Sequence, residues 1–281
     1  MNTTTADPTA STFAMPENVG LTAPAPPLEG AALNPVPGWM DVLREQLSSV
    51  GLALRREGTV VGGFAVLFTA FIFWMQVQQG TGDLPLSPAE GIAAAMMAFL
   101  IPMGVWKGED PARRGYHHAM PVGHGEHAVA RAAAGLAWTL AGGAAFFGWM
   151  GLLSLTTGGR VEQVEAWQWA APFAGATVLY LLGSALTLAT SRPWRWLGFS
   201  AVGYFFLSAF RAIDAATPLS DAVDAVVTGQ YGLSTVLTGL VESTKFTGMK
   251  ADAGTWLTAT FLWLAAAVSL FLWAAYRQPE R

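Results

Sequence analysis

The chain has 281 residues, of which 53% are hydrophobic and only 12% charged, with a mean hydropathy of +0.40. Soluble domains carry about 25% charged residues, so half of the usual charge is missing and lipid is the expected main solvent. A net charge of −4 gives no electrostatic support to nucleic-acid binding, and the absence of cysteine excludes disulfides, thiolate metal sites and cysteine nucleophiles.

Residues 1–37 are rich in Thr, Ala and Pro and contain no Lys or Arg. They lack the positive start and apolar core of a secretory signal, and too little of them is apolar to offset backbone entropy. They read as a disordered tail, and residues 38–281 as a transmembrane domain. From Gly38 to Arg56, the residues Trp39, Leu43, Leu47, Val50 and Leu54 recur three and four apart, with Asp41, Arg44, Glu45 and Arg55 elsewhere. This pattern predicts an amphipathic helix lying on the inner membrane surface. A plain extension of the first spanning helix is the alternative.

Uncharged runs then mark the spans. Gly58–Gly82, Ala132–Gly159, Ala166–Ser191 and Ala253–Tyr276 each reach the ~20 residues that cross a bilayer. Gly91–Trp106 and Trp196–Phe210 are shorter and bounded by Glu90 and Arg211, and they bring the expected number to six. Basic residues orient the bundle. Of the 15 Lys and Arg, 11 fall on one side: Arg44, Arg55, Arg56, Lys107, Arg113, Arg114, Arg131, Arg192, Arg195, Arg277 and Arg281. The positive-inside rule makes that side cytoplasmic and puts both termini there. Trp106, Trp194, Trp196 and Trp273 fall at inner ends and Trp74, Trp167, Trp169 and Trp256 near outer ends, as interfacial belts do. Trp138 and Trp263 lie inside spans, where they either pack or line a hydrophobic path.

The connection from Arg211 to Gly254 is long and acidic. Within it Ala225–Val241 is uncharged but rich in Gly and Thr, the pattern of short outer helices that dip into the membrane and return. Arg211 and Asp214, three apart, are candidates for an outer-end ion pair.

The remaining charge is concentrated between Glu109 and Arg131. Glu109, Arg113 and Arg114 precede a Pro121–Val122 break, after which His124 to Arg131 restart as a helix leading into the third span. A short helix across the inner face can dock in a partner's cleft and carry motion into the spans. Glu109, Arg114-Gly115, Pro121-Val122 and Arg131 resemble the "E…RG…PV…R" pattern between the second and third spans of type-2 ABC exporter permeases. The wider layout over residues 38–276 is similar too. The resemblance implies an all-α, six-span exporter permease of a bacterial cytoplasmic membrane, and the largely uncharged spans favour a lipid-like or amphipathic substrate over a small ion. It further implies pairing with a second permease, as a homo- or heterodimer, with ATP-binding-cassette ATPase subunits docked at Glu109, Arg113, Arg114, Gly115, Pro121, Val122 and Arg131. The sequence differs in one place: Gly123-His124-Gly125 stands where the family often has a basic residue.

Other functions were weighed on the same residues. No Gly-x-x-x-x-Gly-Lys-Ser/Thr loop is present, so ATP hydrolysis belongs to a partner chain and this chain is not expected to be an enzyme. The four histidines, His117, His118, His124 and His127, share the loop with Glu109, Asp110 and Glu126 but form no complete metal motif. No cofactor or metal is therefore expected. The secure spans hold no ionisable group that would serve catalysis within the membrane. A non-transporting membrane scaffold or accessory subunit of a larger complex is the alternative function.

Overall fold

The computed structural model describes residues 38–80, 84, 86–107, 123–190, 192–209, 217–241 and 249–277. Among the described residues the regular structure is helical apart from one pair of two-residue strands, Leu240–Val241 with Met249–Lys250, and an isolated Leu86–Val161 bridge. The helices are α1 (Trp39–Gln78), α2 (Glu90–Met97), α3 (Ile101–Val105), α4 (His124–Thr157), α5 (Ala166–Ala189), α6 (Pro193–Ala209), α7 (Thr217–Thr228), α8 (Leu233–Thr238) and α9 (Ala253–Tyr276). Among the described residues four segments are long and apolar enough to cross a bilayer: Gly58–Gln78, Gly125–Thr157, Ala166–Ala189 and Ala253–Tyr276. They coincide with the four long uncharged runs, and the chain is an all-α membrane protein.

The amphipathic segment differs from expectation. Trp39–Gln78 is one uninterrupted helix of 40 residues, about 60 Å at 1.5 Å per residue, so no separate helix lies along the membrane surface. No proline interrupts this stretch, and its glycines lower helix propensity without stopping the helix. The apolar stripe is also covered by protein. Val42, Gln46 and Val50 are buried, and Leu47 and Leu54 pack against the core, while Trp39 at the head of the expected stripe is exposed. The surface receiving them is α4.

The second expected span is broken in two. Pro102 sits at the start of α3; it has no N–H to donate and its ring disfavours helix in the residue before it. The Met103 N–H therefore bonds the Leu100 carbonyl, three residues back, at 3.0 Å. The kinked pair α2–α3 leans on α5, the central helix, whose faces meet α9, α2, α8, α4 and α3. Small residues let these helices approach, as membrane helix packing requires. A methyl group at Gly135 would overlap the Tyr180 hydroxyl, and one at Gly183 the Phe99 carbonyl.

The outer ends are tied by backbone. Leu86 N–H donates to the Arg160 carbonyl at 3.1 Å and Glu162 N–H to the Leu86 carbonyl at 2.9 Å, so the α1–α2 and α4–α5 connections run side by side. Asp252 caps α9 by accepting from the Thr255 N–H at 2.7 Å and its hydroxyl at 2.9 Å. These bonds hold its carboxyl below the ordinary range. Trp74, Trp194, Trp196 and Trp273 are exposed as belt residues would be, but Trp106 and Trp256 are buried in protein. Helix α6 stands apart, with Trp194, Trp196, Phe199, Phe205 and Phe206 all exposed.

Several expected features lie outside the described residues: the tail 1–37, the loop residues Glu109, Arg113, Arg114, Gly115, Pro121 and Val122, His117 and His118, and the pair Arg211 and Asp214.

Candidate functional site

Arg131, the described member of the expected docking set, points inward. It sits two turns into α4 and is buried. Its Nε and Nη2 both donate to the Val105 carbonyl oxygen, at 3.0 and 2.7 Å, and Nη1 donates to Gln46 Oε1 at 3.4 Å. Its guanidinium carbon lies 5.9 Å from the centre of the Trp106 ring, within cation–π range. The planar fork of arginine suits this two-donor grip on a single carbonyl, and the carbonyl is one that the end of α3 leaves without a helical partner. Arg131 thus ties the end of α3, the start of α4 and the inner part of α1 into one node. It holds the end of α3 against the first turns of α4.

Above this node a groove of about 1070 Å³ runs between α1 and the α2–α5 bundle. One end carries Arg55, Lys107 and Trp194, and the other is lined by Gly91, Phe147 and Pro172. Between them the lining is apolar, with Phe64, Phe68, Trp138, Phe146 and Phe173. Trp138 does both jobs weighed for it. It lines the groove, and it also locks α4 to α1, its Nε1 donating to the Leu47 carbonyl at 2.9 Å beside Gly51, where a methyl group would sit 2.9 Å from the ring.

On the opposite side, α7 and α8 form a hairpin against α9. Trp256 Nε1 donates to the Val236 carbonyl at 3.3 Å and Trp263 Nε1 to the Tyr231 carbonyl at 3.0 Å. Tyr231 lies in the turn between α7 and α8. Trp263 is ten residues beyond Ala253, where α9 begins, so the turn reaches about 15 Å down that helix. Gly239 ends α8 with φ +64 and lies against Trp167, a backbone shape that glycine adopts without a Cβ clash.

Glu90 opens α2, and the Ser87 hydroxyl donates to its Oε2 at 2.8 Å.

His127 is half-buried and has an interaction partner, and among the described residues no group of three His, Asp or Glu side chains is placed to hold a metal. Sequence reasoning missed Gln46, Val105, Arg55 and Lys107. Gln46 alone carried a signal, standing four residues from both Val42 and Val50 on one helical line. Comparison with protein-family models, curated proteins and solved structures finds no match.

Proposed function

We propose that this chain is the permease subunit of an ATP-driven ABC exporter in a bacterial cytoplasmic membrane, with both termini cytoplasmic. In this reading α1 beyond Gly58, the α2–α3 pair, α4, α5, α6 and α9 are the six spans, and α7–α8 is the membrane-dipping outer pair. The depth of the Tyr231 turn along α9 supports that assignment, since a turn about 15 Å down reaches mid-depth of a hydrocarbon core ~30 Å thick. A second permease and two ATPase subunits complete the transporter. The substrate is lipid-like or amphipathic.

The observation that carries this reading is the Arg131 node. Whatever displaces the 109–131 loop displaces α1, α3 and α4 together, because one buried guanidinium grips all three. Those same helices wall the groove. Force applied at the cytoplasmic face is thus delivered to the surfaces lining a membrane-facing path, which is what a coupling element must do.

Capture of the full chain from native membranes tests the reading. An ATPase carrying a phosphate-binding loop is expected to accompany it, and the reconstituted complex is expected to move a fluorescent amphiphile only with ATP. Capture without an ATPase, together with no ATP-dependent movement, would favour the scaffold function instead.

A further inference from the structure

We infer that the groove between α1 and the α2–α5 bundle binds one anionic phospholipid from the inner leaflet, with its phosphate at Arg55 and Lys107 and an acyl chain along Phe64, Phe68, Trp138 and Phe146. The inference concerns occupancy of the groove and holds whether or not the chain is coupled to ATP.

Charge is the first argument. Among the described residues the lining contains two basic residues and no acidic one. Among the described residues neither Arg55 nor Lys107 has a side-chain hydrogen bond or ion pair, and both are exposed. They occupy the same end. Arg55 lies one turn before the apolar segment that starts at Gly58, and Lys107 lies two residues past the end of α3, which α1 also contacts. Cations at the inner boundary attract anionic headgroups at ~1 kcal/mol each, and Trp194 beside them is suited to the headgroup level.

Shape is the second argument. From Arg55 to Phe68 the groove follows 13 residues of α1, about 20 Å. That is about two thirds of a hydrocarbon core ~30 Å thick. Its volume of about 1070 Å³ exceeds the roughly 300–1,000 Å³ of ordinary small-molecule pockets. A small ion would leave most of it empty. Past Phe68 the lining continues to Gly91, Phe147 and Pro172, near the first residues of α2 and α5.

The absence of cysteine makes the test direct. A bimane label is placed on Ala141→Cys, an exposed position on the groove wall, and separately on Phe261→Cys, an exposed position on α9. The full chain is reconstituted in phosphatidylcholine vesicles containing a minor fraction of either brominated phosphatidylglycerol or brominated phosphatidylcholine. At Ala141→Cys the anionic lipid is expected to quench at a roughly tenfold lower fraction than the zwitterionic one, and at Phe261→Cys the two are expected to quench alike. Arg55→Gln combined with Lys107→Gln is expected to abolish the preference without changing the unfolding temperature. Inorganic phosphate is expected not to displace the lipid; displacement would identify a free-anion site and overturn the lipid assignment. Equal quenching at Ala141→Cys, or a preference that survives the double substitution, would also overturn it. So would a label shielded from both lipids in a cross-linked dimer, because a second copy would then fill the groove.

Discussion

Arg131→Ala is expected to lower the unfolding temperature of the purified chain by roughly 5–10 °C. A hydrogen bond to a charged group contributes about 1.5–3 kcal/mol, and each kcal/mol shifts the midpoint by roughly 2–4 °C in a chain of this size. Removing the guanidinium leaves the Val105 carbonyl without either of its donors and leaves Gln46 facing a void. It also uncovers one face of the buried Trp106 ring, whose Nε1 has no hydrogen-bond partner among the described residues. Arg131→Lys restores charge but not the two-donor fork, so it is expected to recover only part of the loss. Gln46→Ala is expected to cost less than Arg131→Ala, because its bond to Nη1 is the longest of the three at 3.4 Å. Scanning calorimetry or thermal light scattering in one detergent ranks the variants. If Arg131→Ala unfolds at the wild-type temperature, the side chain is not structural, and its effect would have to come from contact with a partner.

This node also shows what was legible in the sequence and what was not. The four long spans could be read because crossing lipid demands an unbroken run of apolar residues, and such a run is a local property. The stripe from Leu43 to Leu54 was equally local, and its helical period was read correctly. Periodicity reveals that one face is apolar but not what covers it; here α4 covers it, not the membrane surface. The α2–α3 break was visible only as Pro102, whose consequence depends on the helix it meets. Arg131 was legible as the last charge before a span. Its burial depended on Val105, 26 residues away, and Gln46, 85 residues away, pairings that no local pattern encodes. Arg55 and Lys107 were used only to count positive charge, and their place on one groove follows from the packing of α1 on α3. The glycines of the outer connection were the better signal: Gly229 and Gly232 bracket the α7–α8 turn and Gly239 ends α8.

Gly183→Ala is expected to be strongly destabilising. Gly183 lies on α5, where two thirds of the most apolar window is buried, more than in any other candidate span. It faces the break between α2 and α3. The added carbon would overlap the Phe99 carbonyl oxygen and lie 3.2 Å from Pro102 Cγ. One of these is backbone and the other a closed ring, so neither can rotate away, and relief requires the α2–α3 pair to separate from α5. Overpacking of this kind costs typically 1–3 kcal/mol. Movement of α2–α3 would also disturb the Arg131 grip on Val105, so the effect is expected at the upper end of that range and as reduced folded yield from membranes. Gly148→Ala is the matched control, because nothing lies within 4 Å of its added methyl group. Helix propensity favours alanine over glycine by about 1 kcal/mol, so that variant is expected to be neutral or slightly more stable. The two predictions oppose each other in sign for the same chemical change, and size-exclusion yield with thermal unfolding separates them. A Gly183→Ala protein as stable as Gly148→Ala would mean that α5 and the α2–α3 pair are not in close contact at Phe99.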